Sequence, residues 1–222
     1  MSPTAKFCRY CGAQVAQRPA TTGDQYVDDC MQFLEEIEEK RRWRDVPGAK
    51  AVADAGNQGR TQEALRLADE LRKKYPDFYF PYYWLASIYR RQVRYDAART
   101  ALLEGLRLSQ DKNNLCNALG QTEYEAGNLP GAVMWWIRCV LTQVHDKTAN
   151  GKEYHAAQDL SYVAAELGLL EARAHLLQWA DRLGGSGIRL TAEAARKLRV
   201  TTRSQRTESM KRAIERLDTE YL

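Results

Sequence analysis

The sequence predicts an all-α fold in which helical hairpins stack side by side as an α-solenoid. Three observations lead to this prediction. Residues of matching type recur at an offset of 34 positions, apolar residues follow the three-and-four spacing of one helix face, and proline or glycine falls between the apolar segments. A bundle of unrelated helices has no reason to keep one period across several units.

The composition indicates a folded chain with a polar surface. Its 222 residues are 44% hydrophobic, enough for one large domain or one domain with appendages, and 28% are charged. The net charge of +4 comes from residues 189–222, which contain nine Lys or Arg and five Asp or Glu, so the rest is close to neutral. A protein that binds nucleic acid over its whole surface usually has a stronger basic field.

The sequence gives no sign of a membrane or secreted protein. No apolar run approaches the roughly 20 residues that span a bilayer, and the N-terminus lacks the hydrophobic region of a secretory signal. The five cysteines are an odd number, which argues against a closed set of disulfides. We therefore expect a cytoplasmic protein without membrane insertion.

Residues 1–23 form a short head that contains the stretch FCRYCGAQV. Two residues separate Cys8 from Cys11, and Gly12 follows, which suits a tight turn that directs two thiolates at one metal ion. The stretch resembles one knuckle of the zinc ribbon found at the N-terminus of many bacterial proteins. The resemblance implies a zinc-knuckle-like head with zinc as its cofactor.

Three interpretations of this head stay open, because zinc takes four ligands and no second Cys-x-x-Cys motif follows. Two chains could each supply Cys8 and Cys11, which would make a homodimer around a shared zinc ion. One chain could complete the site alone, with Cys30 as a third ligand and a non-cysteine fourth. The knuckle could also be a relic that holds metal weakly or not at all.

Residues 24–44 predict an amphipathic helix. Its apolar stripe contains Tyr26, Cys30, Phe33, Leu34 and Ile37. Acidic residues come first and basic residues last, as the helix dipole favours. We expect a capping or docking helix that covers the open end of the repeat stack. Cys30 lies on its apolar stripe, which also explains this cysteine as a core residue.

Residues 45–186 contain the repeats, at about 45–78, 79–112, 113–146 and, after an insertion, 153–186. The positions that coincide at the offset are Ala64, Ala98 and Ala132; Gly59, Val93 and Gly127; and Leu85 with Leu119. Each unit predicts two helices, with a break at 92–94 in the second unit. Pro76 should end a helix after Tyr75, and Pro130 suits the first turn of another.

This pattern of small and aromatic residues, with its period and its Tyr75-Pro76 ending, resembles the tetratricopeptide repeat family. The resemblance implies that the first helix of each pair lines a concave groove that holds a peptide or a partner helix. At the matching positions the groove residues are Phe80, Tyr83, Ser87, Arg90, Arg91, Asn114, Asn117, Gln121, Tyr124 and Glu125, continued by Tyr154 and Ser161. Ala49 and Ala53 stand where the family's carboxylate clamp has lysine and asparagine, so capture of a chain terminus is not expected.

Residues 187–222 predict a basic helical tail, with a stripe of apolar residues on its last helix. The stripe favours a second cap on the solenoid, and a mobile basic arm is the alternative.

The sequence shows no phosphate-binding loop, metalloprotease motif or nucleophile elbow, and its three histidines are scattered. We therefore expect no enzyme. The main functional hypothesis is a protein–protein interaction scaffold or adaptor that binds a peptide or helix in the groove. The alternative is a nucleic-acid-associated regulatory protein that uses the cysteine knuckle and the basic tail.

Overall fold

The computed structural model describes residues 22–32, 43–109, 112–145, 154–184 and 207–222. The head with Cys8 and Cys11, and the stripe residues Phe33, Leu34 and Ile37, lie outside the described residues. Every regular element within these ranges is helical, so the all-α prediction is confirmed for them.

Ten α-helices and one short 3-10 helix follow each other along the described chain. They are α1 (Gln25–Cys30), the 3-10 helix Trp43–Asp45, α2 (Ala49–Asn57), α3 (Thr61–Lys74), α4 (Tyr79–Arg91), α5 (Tyr95–Leu108), α6 (Asn113–Glu125), α7 (Leu129–His145), α8 (His155–Glu166), α9 (Leu170–Arg182) and α10 (Thr207–Tyr221). Helices α2 to α9 form four consecutive hairpins.

The helix boundaries keep the predicted spacing. Thr61, Tyr95 and Leu129 begin the second helices of the first three hairpins, each 34 residues after the one before. Helix α3 ends at Lys74, with Tyr75 as its C-cap just before Pro76, and Arg91 and Tyr95 flank the predicted break between α4 and α5. These boundaries confirm the proline and break predictions.

The hairpins pack as neighbouring pairs, in an arrangement compatible with an α-solenoid. Each first helix contacts its own hairpin partner and also the second helix of the preceding hairpin. The first helices α2, α4, α6 and α8 also contact one another in order, and we call them the first-helix layer. The contact between α6 and α8 is smaller than that between α4 and α6, which follows from the longer connection before α8.

Glycines allow close approach between the helices. A Cβ atom at Gly120 of α6 would lie 2.3 Å from Nε1 of Trp136 of α7, and one at Gly105 of α5 would lie 2.7 Å from the Tyr82 side chain of α4. Both aromatic residues are buried. The small residues of the repeat pattern therefore leave the room that the large ones fill.

Helix α7 differs from the other repeat helices because it is apolar nearly all round. Its buried residues include Val133, Trp136, Ile137, Cys139, Val140 and Leu141. It contacts α6 and α8 of the repeat stack and also α1 and α10. A helix that is hydrophobic on every side must be covered on every side.

Of residues 24–44, which predict a capping or docking helix, the structure describes 24–32 and 43–44. Helix α1 packs against α7 and α10 rather than on the first hairpin, and its α-helix ends at Cys30. Helix α10 packs against α7, α8 and α9, with Met210, Ala213, Ile214 and Leu217 buried. The described part of the tail is thus docked, because the outer side of α7 provides the apolar surface that both helices cover.

Candidate functional site

The candidate site is the surface of the first-helix layer, where the sequence places the groove. Tyr83 and Ser87 of α4, and Asn117 and Gln121 of α6, are all half-buried there. Asn114 and Tyr124, also predicted, are half-buried as well. The structure therefore brings these side chains to two adjacent helices.

Phe80 does not belong to this surface, although the sequence predicted it there. Its side chain is 5% exposed and stacks on Phe78 at 5.7 Å between ring centroids. It shares a buried cluster with Val52 and Ala53 of α2, whose small side chains leave room for the ring. Ser161 is likewise buried, and its hydroxyl donates to the Gln158 carbonyl at 2.7 Å.

Arg90 and Arg91 connect neighbouring helices of the layer. The Arg90 guanidinium donates to both carboxylate oxygens of Glu125 on α6, at 2.9 Å from Nε and 2.5 Å from the second nitrogen. On the other side, Arg91 donates to the Gly56 carbonyl of α2 at 3.0 Å. The two arginines therefore brace α4 against both of its neighbours, and Arg90 already has a carboxylate partner.

The amides of α6 provide the polar part of the surface. Gln121 donates to Glu125 at 3.3 Å, and Oδ1 of Asn117 is buried without a hydrogen-bond partner within the described ranges. The Tyr124 ring lies 6.0 Å from the Trp136 ring, and burial together with the charge of Asp159 raises the pKa of the Tyr124 hydroxyl. Tyr124 is therefore neutral at physiological pH.

Two ion pairs lie beside this surface, and Arg91 donates to a backbone carbonyl. Lys50 pairs with Asp54 on α2 at 2.6 Å, and Arg90 pairs with Glu125 between α4 and α6. What remains on α4 and α6 is a set of aromatic rings, hydroxyls and amides. Such a surface suits a ligand that offers backbone groups and apolar side chains rather than a cluster of charges.

Cys30, the third zinc ligand in one interpretation of the head, is fully buried in the main core cluster, and this burial raises the pKa of its thiol to about 12. The other two ligands of that interpretation, Cys8 and Cys11, lie outside the described residues. Within the described ranges no group of three His, Cys, Asp or Glu side chains could hold a metal ion. Cys116 and Cys139 are buried too.

A clamp that joins α1 to α7 and α10 is a feature that the sequence did not predict. The Tyr26 hydroxyl donates to the Pro130 carbonyl at 2.8 Å, and Nε of Arg138 donates to the Asp29 carbonyl at 2.8 Å. Asp24 caps the start of α1 and also accepts hydrogen bonds from Ser209 and Arg212 of α10. The continuous apolar sequence of α7 was the signal that could have indicated it.

His175 also has a partner that the sequence did not suggest. Its Nδ1 lies 2.8 Å from a carboxylate oxygen of Asp218, which joins α9 to α10. This contact is structural, because it holds the last helix on the fourth hairpin.

Comparison with protein-family models, with curated proteins and with solved structures finds no significant match. Among the helices that the structure describes, none has both the length and the apolar character needed to cross a membrane.

Proposed function

We propose that the chain is a non-enzymatic adaptor that holds a peptide or a helix of a partner protein on the first-helix layer. In this proposal the hairpins are tetratricopeptide-like repeats, and the layer is their concave side. The observation that supports it is the joint placement of Tyr83, Ser87, Asn117 and Gln121, half-buried on two adjacent helices. Rings and amides of this kind are frequent where proteins recognise peptides.

The partner that suits this surface is a segment with little net charge. Tyr83 supplies a ring that loses few rotamers on binding, while Asn117 and Gln121 can pair with backbone N–H and C=O groups. Arg90 is engaged by Glu125, so an acidic ligand would have to compete with an existing ion pair. Ala49 and Ala53 are buried, which agrees with the expectation that no terminal carboxylate is clamped there.

The described part of the tail offers little support for the nucleic-acid alternative. On α10, Lys211 pairs with Glu208, Arg212 with Asp24, and Arg216 with Glu220. Cations that are already paired release few counterions on binding a polyanion.

The experiment that tests the adaptor proposal is site-specific photo-cross-linking in the source cell. A photoreactive phenylalanine replaces Gln121 on the layer or, as a control, the exposed Arg107 on α5. We expect one defined polypeptide to cross-link at position 121 and not at 107. The cross-link should disappear when Tyr83 and Asn117 are both changed to Ala. Equal cross-linking at both positions, or none at 121, would overturn the proposal.

A further inference from the structure

The turn between α4 and α5 departs from the other hairpin turns. At the matching position the other three turns have Gly59, Gly127 and Gly168, with φ of 71°, 83° and 80°. The α4–α5 turn has Val93 instead, with φ of 60°. Among the residues that the structure describes, Val93 is the one non-glycine residue with positive φ.

This backbone conformation is unfavourable for valine, because its branched side chain crowds the backbone in the left-handed region. Burial does not compensate for the strain, since Val93 is 69% exposed, the highest value among the exposed large hydrophobic residues of the described chain. A strained residue whose side chain is mostly exposed is the kind of local exception that occurs at functional sites.

Val93 lies at the edge of an open concavity. The concavity has a volume of about 560 Å³ and lies between the α4–α5 turn and the α6–α7 turn. Its lining includes Val93, Arg94, Tyr95, Asp96, Arg99 and Ala126. This surface is on the edge of the stack formed by the hairpin turns, and it shares none of its lining residues with the candidate site on the first-helix layer.

Two exposed arginines lie within two residues of Val93 in the sequence. Arg91 and Arg94 are exposed, and neither forms an ion pair with a carboxylate in the part of the chain that the structure describes. Arg91 donates to a backbone carbonyl, and the Arg94 guanidinium lies 4.8 Å above the Tyr89 ring. Asp96 and Arg99 of the lining pair with each other, and Arg99 also bonds to Glu123, so Arg94 is the cation of the lining that has no carboxylate partner among the described residues.

We propose that this turn is a docking site for an acidic protein segment that carries an aliphatic or aromatic side chain. The apolar side chain would contact Val93 within the concavity, and a carboxylate of the segment would pair with Arg94, which lines it. Charge complementarity selects an acidic partner, and the exposed valine selects one with an apolar anchor. The proposal concerns a second surface and does not depend on the adaptor site on the first-helix layer.

The probe is a set of short synthetic peptides in which Asp or Glu surrounds a single Leu or Phe, each with a matched peptide that has Asn or Gln instead. Binding to the full chain is measured by calorimetry, and the contact surface is mapped by amide chemical shifts. We expect an acidic peptide to bind and to shift the amides of Val93, Arg94 and Tyr95. It should bind at least tenfold more tightly than its uncharged counterpart.

Two variants and one control separate the contributions. Arg94→Gln should weaken binding about tenfold, which corresponds to one lost charge-assisted contact. Val93→Gly should weaken it about three- to tenfold through lost apolar area, while raising the melting temperature because the strain is relieved. Arg107→Gln removes the same charge from another exposed position on α5 and should leave binding unchanged.

Val93→Gly is expected to weaken binding but to raise the melting temperature. A folding defect would instead lower the affinity and the melting temperature together, so the two causes can be told apart. The proposal is overturned if no acidic peptide binds, if Val93→Gly binds as the wild type does, or if the shifts map to Tyr83 and Gln121 instead. It is also overturned if a single-stranded oligonucleotide binds here with dependence on Arg94 but none on Val93, because that result indicates a polyanion site without an apolar anchor.

Discussion

Arg90 of α4 and Glu125 of α6 form a two-point ion pair between neighbouring first helices, with contacts of 2.9 and 2.5 Å. The two residues belong to successive repeats, and each lies in the last turn of its helix. The pair fixes the spacing of the two helices that present the candidate site. It also means that neither side chain offers an unpaired charge to a ligand on that surface.

The first prediction concerns the strength of this pair. Glu125→Gln should lower the free energy of unfolding by less than about 1 kcal/mol, because partly exposed ion pairs contribute little in water. The side chains of Arg90 and Glu125 are 20% and 31% exposed, which places them in that class. Urea unfolding measures the difference, and it should shrink in high salt. A loss of several kcal/mol would show instead that the pair acts as a buried one.

The second prediction concerns the clamp at Asp24. Asp24→Ala should lower the free energy of unfolding by about 1–2 kcal/mol, because it removes the cap of α1 together with the contacts to Ser209 and Arg212. Hydrogen exchange should rise in α10 as well as in α1, since Asp24 joins the two. Exchange that rises in α1 alone would contradict the clamp.

Asp24→Asn separates the cap from the charge, because Asn also caps helices well but cannot pair with Arg212. The hydrogen bond from Ser209 is the main cause that lowers the pKa of Asp24 below its ordinary 3.8. A carboxyl with a lowered folded pKa stabilises the fold above its unfolded pKa, and this contribution is lost as pH falls through the folded value. The difference between wild type and Asp24→Asn should therefore be full at neutral pH and disappear in acid. A difference that persists at the lowest pH would contradict this account.

The third prediction concerns strain at the hairpin turns. Val93→Gly should raise the free energy of unfolding by about 1 kcal/mol, because glycine adopts positive φ without the steric cost that valine incurs. The reciprocal change Gly127→Val should lower it by about 1–2 kcal/mol. A Cβ at Gly127 meets nothing within 4 Å, so the effect there reports the backbone alone. Chemical denaturation of both variants checks this, and equal effects in the same direction would contradict it.

The sequence was sufficient for the repeat part of the fold because local signals decide it. Proline before Asp77 and the break after Arg91 end their helices whatever tertiary contacts surround them. The period then repeats the same hairpin. The buried faces of α4 and α5 also follow directly from residue spacing.

The sequence was not sufficient where contacts join distant parts of the chain. Helix α1 could have covered any apolar surface, and the choice of α7 depends on long-range contacts such as Tyr26 to Pro130. The spacing of Phe80 in the sequence matches a groove position, but its ring lies in a buried cluster with small residues of α2. Periodicity predicts which side chains share one face of a helix. It does not predict how large the side chains of the neighbouring helix are.

The fourth prediction concerns the close contact between α6 and α7. Gly120→Ala should lower the free energy of unfolding by about 1–3 kcal/mol, because the added carbon would lie 2.3 Å from Nε1 of Trp136 and force the indole to move. Trp136→Phe should be less harmful in the Gly120→Ala background than in the wild type, since the smaller ring leaves room. A double-mutant cycle measures this coupling, and additive effects would show that the two residues do not interact.

The last prediction uses Cys30 as a reporter of the clamp. Its thiol is buried, and burial raises its pKa to about 12, so alkylation at pH 8 requires α1 to detach or the chain to unfold. We expect Cys30, Cys116 and Cys139 to resist alkylation in the native protein and to react in urea, as peptide mass mapping would show. Asp24→Ala should speed the labelling of Cys30 much more than that of Cys139. Cys139 lies on α7 within the repeat stack, whereas the protection of Cys30 depends on the docking of α1. If Cys30 reacts in the native wild type as fast as an unfolded thiol does, α1 is not held on α7. Equal acceleration of both cysteines would mean that Asp24 supports the whole fold rather than the clamp.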